Sequence, residues 1–199
     1  MESIRELLLN EMRDLYDAEK QLVKALPKVV KAASSEDLKE AFANHLEQTR
    51  GHVERLEKAF ELMGEKAKGK SCAAMRGLLE EADQAAQNDM MESVTDSGII
   101  CAAQKVEHYE IAGYGTLSAW AKKLGLDDVA GLLEETLSEE KEADEKLTEI
   151  AGGILSEAAS MDRSAAQPGG METKDADGGT HKKASAQAGN GHPARRRAG

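Results

Sequence analysis

Apolar residues recur every three or four positions along most of the chain, which is the spacing of one face of an α-helix. The pattern predicts helix A over about residues 3–33 and helix B over about 36–63. It predicts helix C over about 93–124, helix D from about 127 to 155, and a weaker, short helix over 72–87. Because Ala, Leu, Glu and Lys dominate these segments, we expect an all-α fold.

The connections between these helices predict how they are arranged. Ser35 is placed as the N-cap of helix B, and Gly64 and Gly125 as the glycines that end helices B and C. The A–B and C–D turns are short, so each pair should be antiparallel, whereas the 65–92 connection is long enough to cross the bundle. A four-helix bundle with one long crossover is the ferritin-like arrangement.

The helical pattern stops near residue 160. We therefore predict a bundle domain over residues 1–160 and a disordered tail over 161–199, rich in Gly, Ala, Lys and Arg, because such a composition buries too little apolar surface. The last 19 residues hold five Lys/Arg and no acid. Such a basic segment either contacts an acidic partner or only adds solubility.

Charge and cysteine content limit the classes of function. The formal net charge is −11, made up of −13 on residues 1–150 and +2 on residues 151–199. So acidic a bundle argues against nucleic-acid binding by the bundle. The N-terminus does not resemble a leader, and no apolar run is long enough to cross a membrane. Cys72 and Cys101 lack the spacing of a zinc site and suit a reducing compartment, so we expect a cytoplasmic protein.

Four carboxylates interrupt the apolar stripes of three helices. Glu19 lies near the middle of helix A, Glu107 and Glu110 near the middle of helix C, and Glu140 near the middle of helix D. A buried carboxylate without a partner is costly, so it becomes protonated, pairs with a cation or coordinates a metal. Four of them at a similar depth predict a shared cation site.

Helices B and D add further candidate ligands. His45 and His52 flank the stripe position Thr49, and Asp144 lies one turn after Glu140. Carboxylate and imidazole ligands together suit iron and manganese. Di-iron bundles use Glu-x-x-His on two helices, but here Thr49 occupies the Glu position before His52 and helix D has no histidine. Any site is therefore rich in carboxylates or degenerate.

Other polar residues near this layer receive different assignments. Glu139 is predicted to face solvent and Tyr109 to lie on the surface, whereas Tyr114 mainly fills the core, with donation of a hydrogen bond to the site as the second interpretation. His108 is placed on the surface or beside the site. The alternative to a metal site is a structural polar layer, in which lysines pair with the acids (Lys20, Lys24 or Lys105).

Four segments closely resemble the YciE/YciF family of bacterial ferritin-like proteins, and together they span about residues 3–155. They are DLYDAEKQLVKALPK (14–28), HLEQTRGHVERLEKAFELMGEK (45–66), AAQKVEHYEIAGYGTLSAWA (102–121) and LLEETLSEEKEADEKLTEIA (132–151). The resemblance implies a ferritin-like bundle, commonly a homodimer, with a di-metal centre. It also implies a role in bacterial stress responses and ferroxidase activity.

The leading hypothesis is a stress-related protein that binds two iron or manganese ions and oxidises Fe(II). Its predicted ligands are carboxylates from three helices and two histidines from the fourth: Glu19, His45, His52, Glu107, Glu110, Glu140 and Asp144. One alternative is peroxide dismutation at two manganese ions. The other is a non-enzymatic helical scaffold with a polar core layer.

Overall fold

A computed structural model describes residues 3–87 and 90–165, and every regular element there is a helix. The five helices are α1 (Ile4–Ala32), α2 (Glu36–Leu62), α3 (Ala73–Ala86), α4 (Glu92–Lys123) and α5 (Asp127–Ala165). The all-α prediction is therefore confirmed, including the short helix in the crossover. α5 continues past the predicted end of helix D near residue 155, and the rest of the predicted tail (166–199) lies outside the described residues.

The helix boundaries follow from local chemistry. The Ser35 hydroxyl accepts a hydrogen bond from the Leu38 backbone N–H, which caps α2 as predicted. Gly64 and Gly125 follow α2 and α4 with φ of 72° and 69°, a backbone conformation that glycine adopts without a Cβ clash. Both glycines therefore end their helices where the sequence predicted, and they allow the chain to turn.

Two apolar clusters divide every long helix into halves. One contains the first half of α1, the end of α2, the end of α4 and the start of α5, with Met12, Phe60 and Leu117 among its buried members. The other contains the opposite halves and Met75 of α3, with Leu22 and Phe42. Burying each large side chain contributes roughly 1.5–3 kcal/mol. The middle of each long helix lies between the clusters, and the buried carboxylates and histidines are found there.

The remaining expectations about the chain concern thiols and membranes. Cys72 is buried and Cys101 is exposed, and neither forms a disulfide with a described residue. No helix within the described part of the chain is both long and apolar enough to cross a membrane.

Candidate metal centre

The four interrupting carboxylates all face the interior. Glu19 on α1, Glu107 and Glu110 on α4, and Glu140 on α5 are 0%, 3%, 0% and 0% exposed. Their positions follow from helical spacing, because each lies one turn or so from apolar neighbours that pack in the two clusters. The prediction that they face inward is confirmed.

The first group of candidate ligands lies around His52 of α2. The Nδ1 atom of His52 is 3.0 Å from Glu140 Oε1 and 3.4 Å from Glu19 Oε1. One ligand atom from each of these three buried residues lies within 4.8 Å of the others. Three helices therefore supply one carboxylate, one imidazole and a second carboxylate to a common point.

The second group lies around His45, close to two turns earlier on α2. His45 Nε2 is 3.5 Å from Glu107 Oε1 and 3.9 Å from Glu140 Oε2. Glu140 thus belongs to both groups and directs a different oxygen to each. A carboxylate with this placement is suited to bridge two cations, whose mutual repulsion it reduces by its own charge.

Most polar atoms of this cluster have no hydrogen-bond partner among the described residues. The buried atoms without one include Oε2 of Glu19, Nδ1 of His52, both ring nitrogens of His45, Oε2 of Glu107, and both carboxyl oxygens of Glu110 and of Glu140. Buried polar groups are normally satisfied, and a set that is not satisfied calls for a missing ion or water. The residues present therefore fit a bound cation, and the donor atoms are those that iron and manganese prefer.

Lysine pairing does not explain the cluster. The Lys20 ammonium lies 4.9 Å from the centre of the Tyr16 ring, and Lys105 pairs with Glu81 on the surface. Among residues 3–87 and 90–165, no Lys or Arg forms an ion pair with any of the four buried carboxylates. Only the two histidines approach them, at 3.0–3.9 Å, so lysine pairing is excluded among the described residues and any protein cation in the layer is a histidine.

The electrostatics of the metal-free cluster are those of acids too close together. Burial raises the pKa of Glu107, Glu110 and Glu140 above the usual 4.5, and the neighbouring carboxylates add to the effect. Burial alone would lower the pKa of His52, but Glu140 and Glu19 outweigh it and raise that pKa to about 11. Protons therefore occupy the metal-free cluster, and a cation would displace them.

Glu139 lies beside His52, although helical spacing predicted that Glu139 faces solvent. Its Oε2 lies 2.8 Å from His52 Nε2, and Arg55 donates two hydrogen bonds to its carboxylate, at 2.9 and 2.6 Å. Burial raises the pKa of Glu139, but Arg55 and His52 outweigh burial and lower it below 4.5. An ionised carboxylate only accepts, so Nε2 of His52 carries the proton and Nδ1 faces the cluster.

Two of the predicted ligands stand apart from the two groups. Glu110 is fully buried but belongs to neither group, although its raised pKa reflects the nearby charges of Glu19 and Glu140. Asp144 accepts a hydrogen bond from Gln104 and lies 3.5 Å from the exposed His108. Asp144 therefore faces the α4–α5 surface and not the centre, because it lies one turn further along α5 and is rotated outward.

Of two tyrosines on α4, Tyr114 has both of its predicted roles, whereas Tyr109 differs from its prediction. The hydroxyl of Tyr114 is fully buried and donates a hydrogen bond to Glu19 Oε1, so Tyr114 both fills the core and holds a candidate ligand. Tyr109 is half-buried, donates to Asp14 Oδ2 at 2.6 Å, and lies 3.1 Å from Cys72 Sγ. Its surface assignment was wrong because α3 and the crossover cover that side of α4.

Comparison with known proteins agrees with the fold and the segments described above. Residues 3–160 match the family described as a domain of unknown function, DUF892. Protein YciF of Escherichia coli strain K12 is 47% identical over 152 residues, which cover 76% of this chain and 92% of YciF.

Solved structures give the same result. The E. coli stress protein YciF aligns with a TM-score of 0.76 at 45% identity, over 78% of this chain and 99% of that one. A dodecameric thioferritin from Bacteroides fragilis aligns with a TM-score of 0.58 at 14% identity, over 83% and 93% of the two chains, which shows a shared ferritin-like fold alone.

Proposed function

The chain belongs to the YciE/YciF family, whose matching model is DUF892, and from that premise we propose that its bundle is a carboxylate-rich centre for two iron or manganese ions. The observation that carries this proposal is the placement of Glu140, whose two oxygens face two separate groups of buried candidate ligands. Neither oxygen has a hydrogen-bond partner among the described residues. Two cations that share a carboxylate typically lie about 3.5–4 Å apart.

Each residue has a definite part in holding the ions. Glu19 and His52 would bind one ion, His45 and Glu107 the other, and Glu140 would bridge them. Glu110 would be a further buried carboxylate near the pair. Tyr114 and Glu139 orient Glu19 and His52 through their hydrogen bonds, as the outer partners of metal ligands do.

The reaction we propose is oxidation of Fe(II) by dioxygen or peroxide, in keeping with a stress-related role like that of the E. coli stress protein YciF. Bound iron or manganese supplies one-electron redox chemistry. The acidic side chains favour the more highly charged oxidation state by Coulomb attraction in a dry interior. Apolar clusters on both sides of the layer exclude bulk water. We also propose that the protein acts as a cytoplasmic homodimer.

The test begins with metal content and ends with turnover. Protein purified from its native host should contain close to two ions per bundle, and Glu140→Ala should retain little metal because Glu140 belongs to both ligand groups. Fe(II) oxidation should be lost in Glu19→Ala and Glu140→Ala but kept in Glu54→Ala, which removes an exposed acid of α2. Unchanged oxidation rates in the first two variants would reject the ferroxidase proposal.

The same samples separate the alternatives. Release of oxygen from peroxide by the manganese-loaded protein, without Fe(II) oxidation, would favour a peroxide-dismutating enzyme. Protein that remains metal-free after incubation with either ion would favour a scaffold with a polar core layer.

A further inference from the structure

One cleft leads from the surface to the second ligand group. It lies between α2 and α5, has a volume of about 410 Å³, and ends on His45 and Glu107. His45 is only 6% exposed, and neither of its ring nitrogens has a hydrogen-bond partner among the described residues. A buried imidazole without a hydrogen bond, at the end of a cleft that opens to solvent, is placed to receive a ligand that arrives from solvent.

The rim of this cleft is acidic. Asp37 and Glu40 of α2 and Glu142 of α5 line it, opposed by Lys146, which already pairs with Glu149 at 3.3 Å. Asp37 and Glu40 form no ion pair with a described residue. Clefts lined by one sign of charge concentrate the opposite ion and raise its association rate.

The other space that reaches Glu107 has the opposite character. It is a cavity of about 220 Å³ beneath α3, lined mainly by apolar side chains that include Leu26, Ile99 and Val106. Along most of this lining a hydrated cation would lose water without gaining a polar partner, although Asp83 and Glu107 also line the cavity. Of the two spaces beside Glu107, only the acidic cleft suits the passage of a charged species.

We propose that the α2–α5 cleft is the access route of divalent cations to the bundle centre, with Glu40 and Glu142 attracting the ion and His45 and Glu107 receiving it. This proposal rests on the metal centre proposed above. No residue of the Glu19–His52 pair lines the cleft, so the cleft reaches the His45 group directly, and Glu140, which belongs to both groups, would connect it to the His52 group.

The experiment mixes metal-free protein with Co(II) alone at low ionic strength and measures the rate of Co(II) binding by stopped-flow absorbance. The double variant Glu40→Gln/Glu142→Gln should load at least about fivefold more slowly, with unchanged final stoichiometry, because steering changes rates by about tenfold or more. Added salt should slow the unsubstituted protein towards the rate of the variant. The matched control is Glu54→Gln, an exposed acid of α2 outside the cleft.

A second variant tests the path itself. Ala143→Leu narrows the cleft without changing charge, and it should slow loading at every salt concentration, whereas Ala143→Ser should not. Normal stoichiometry with unchanged rates in both the double variant and Ala143→Leu would overturn the route and leave the metal centre intact. Failure of the unsubstituted protein to bind Co(II) would overturn the centre and the route together.

Discussion

Two regions of this bundle bury carboxylates, and they do so in opposite ways. Asp96, near the start of α4, is 2% exposed, and its two oxygens accept hydrogen bonds from the backbone N–H groups of Ser34 and Ser35, both at 2.8 Å. Glu110, four turns further along the same helix, is 0% exposed, and neither oxygen has a partner among the described residues.

The difference teaches that burial of an acid is not by itself a sign of function. Asp96 ties the α1–α2 turn to α4 and satisfies two backbone donors that would otherwise be orphaned, which is a structural role. The central acids satisfy no backbone donor, and most of their oxygens have no hydrogen-bond partner among the described residues. Burial and the neighbouring carboxylates raise the pKa of Glu107 and Glu110. An acid without a partner is costly in a protein interior, so the unpaired oxygens, and not burial as such, support the proposed cation site.

The largest effect should come from metal and should depend on the central acids alone. With Mn(II) at about 1,000 times its Kd, the free energy of unfolding should rise by about 4 kcal/mol by mass action. Glu140→Ala should abolish most of this gain because Glu140 belongs to both ligand groups. Chemical denaturation with and without Mn(II) measures it. An equal gain in Glu140→Ala would show that the ion binds elsewhere.

Removal of the satisfied acid should destabilise the protein whether or not metal is present. Asp96→Ala leaves the partly buried backbone N–H groups of Ser34 and Ser35 without these acceptors, and each such loss costs up to about 1–3 kcal/mol. We expect the urea midpoint to fall by an amount equivalent to about 3 kcal/mol, with the Mn(II) gain retained. A stability equal to that of the unsubstituted chain would contradict the capping role.

Removal of an unsatisfied acid should have the opposite sign. Glu110→Met replaces a buried carboxyl by an apolar side chain of similar volume, a change that is often neutral or stabilising by about 1–2 kcal/mol. The metal-free protein should therefore unfold at an equal or higher urea concentration. If Glu110→Met destabilises the metal-free protein as strongly as Asp96→Ala does, the contrast between the two regions fails.

The pH dependence of the metal-free protein tests the same contrast through the direction of the change. Because the pKa values of Glu107, Glu110 and Glu140 are raised in the folded state, the native chain holds protons that the unfolded chain loses above about pH 4.5. The contribution of these three groups to stability is therefore greatest below that pH and falls as pH rises, by up to about 1.4 kcal/mol per pH unit for each proton. Glu139, whose pKa is lowered, acts in the opposite direction only at acidic pH.

His52 acts in the same direction as Glu107, Glu110 and Glu140. Its pKa is raised to about 11, so its contribution is complete below about pH 6.5 and is lost as pH rises towards 11. Urea titrations between pH 5 and 8 should show this decline, and Glu110→Met should show a shallower one. A flat or rising profile for the unsubstituted metal-free protein would be the contrary result.

The fold and most of the centre were readable from sequence because both depend on helical period. Glu19 and Glu140 interrupt apolar stripes, and the stripes determine which way these side chains point. Asp144 was predicted to face the centre but lies beside Gln104 and His108. A small difference in angle around the axis of α5 decides whether a side chain faces the centre or the surface. Glu139 and Tyr109 were missed for another reason, since the faces that they occupy are covered by Arg55 of α2 and by Cys72 before α3.

The sequence by itself determined the helices, their antiparallel pairing and the depth at which carboxylates meet, since period, caps and connection lengths are local properties. Only the tertiary structure decided which acids are satisfied. The hydrogen-bond donors to Asp96 lie in the α1–α2 turn, whereas Glu110 has no donor among the described residues. The spacing of residues along one helix does not predict such contacts with other elements. The pairing of buried charges is set by distances between elements, which packing alone fixes to within an ångström or two.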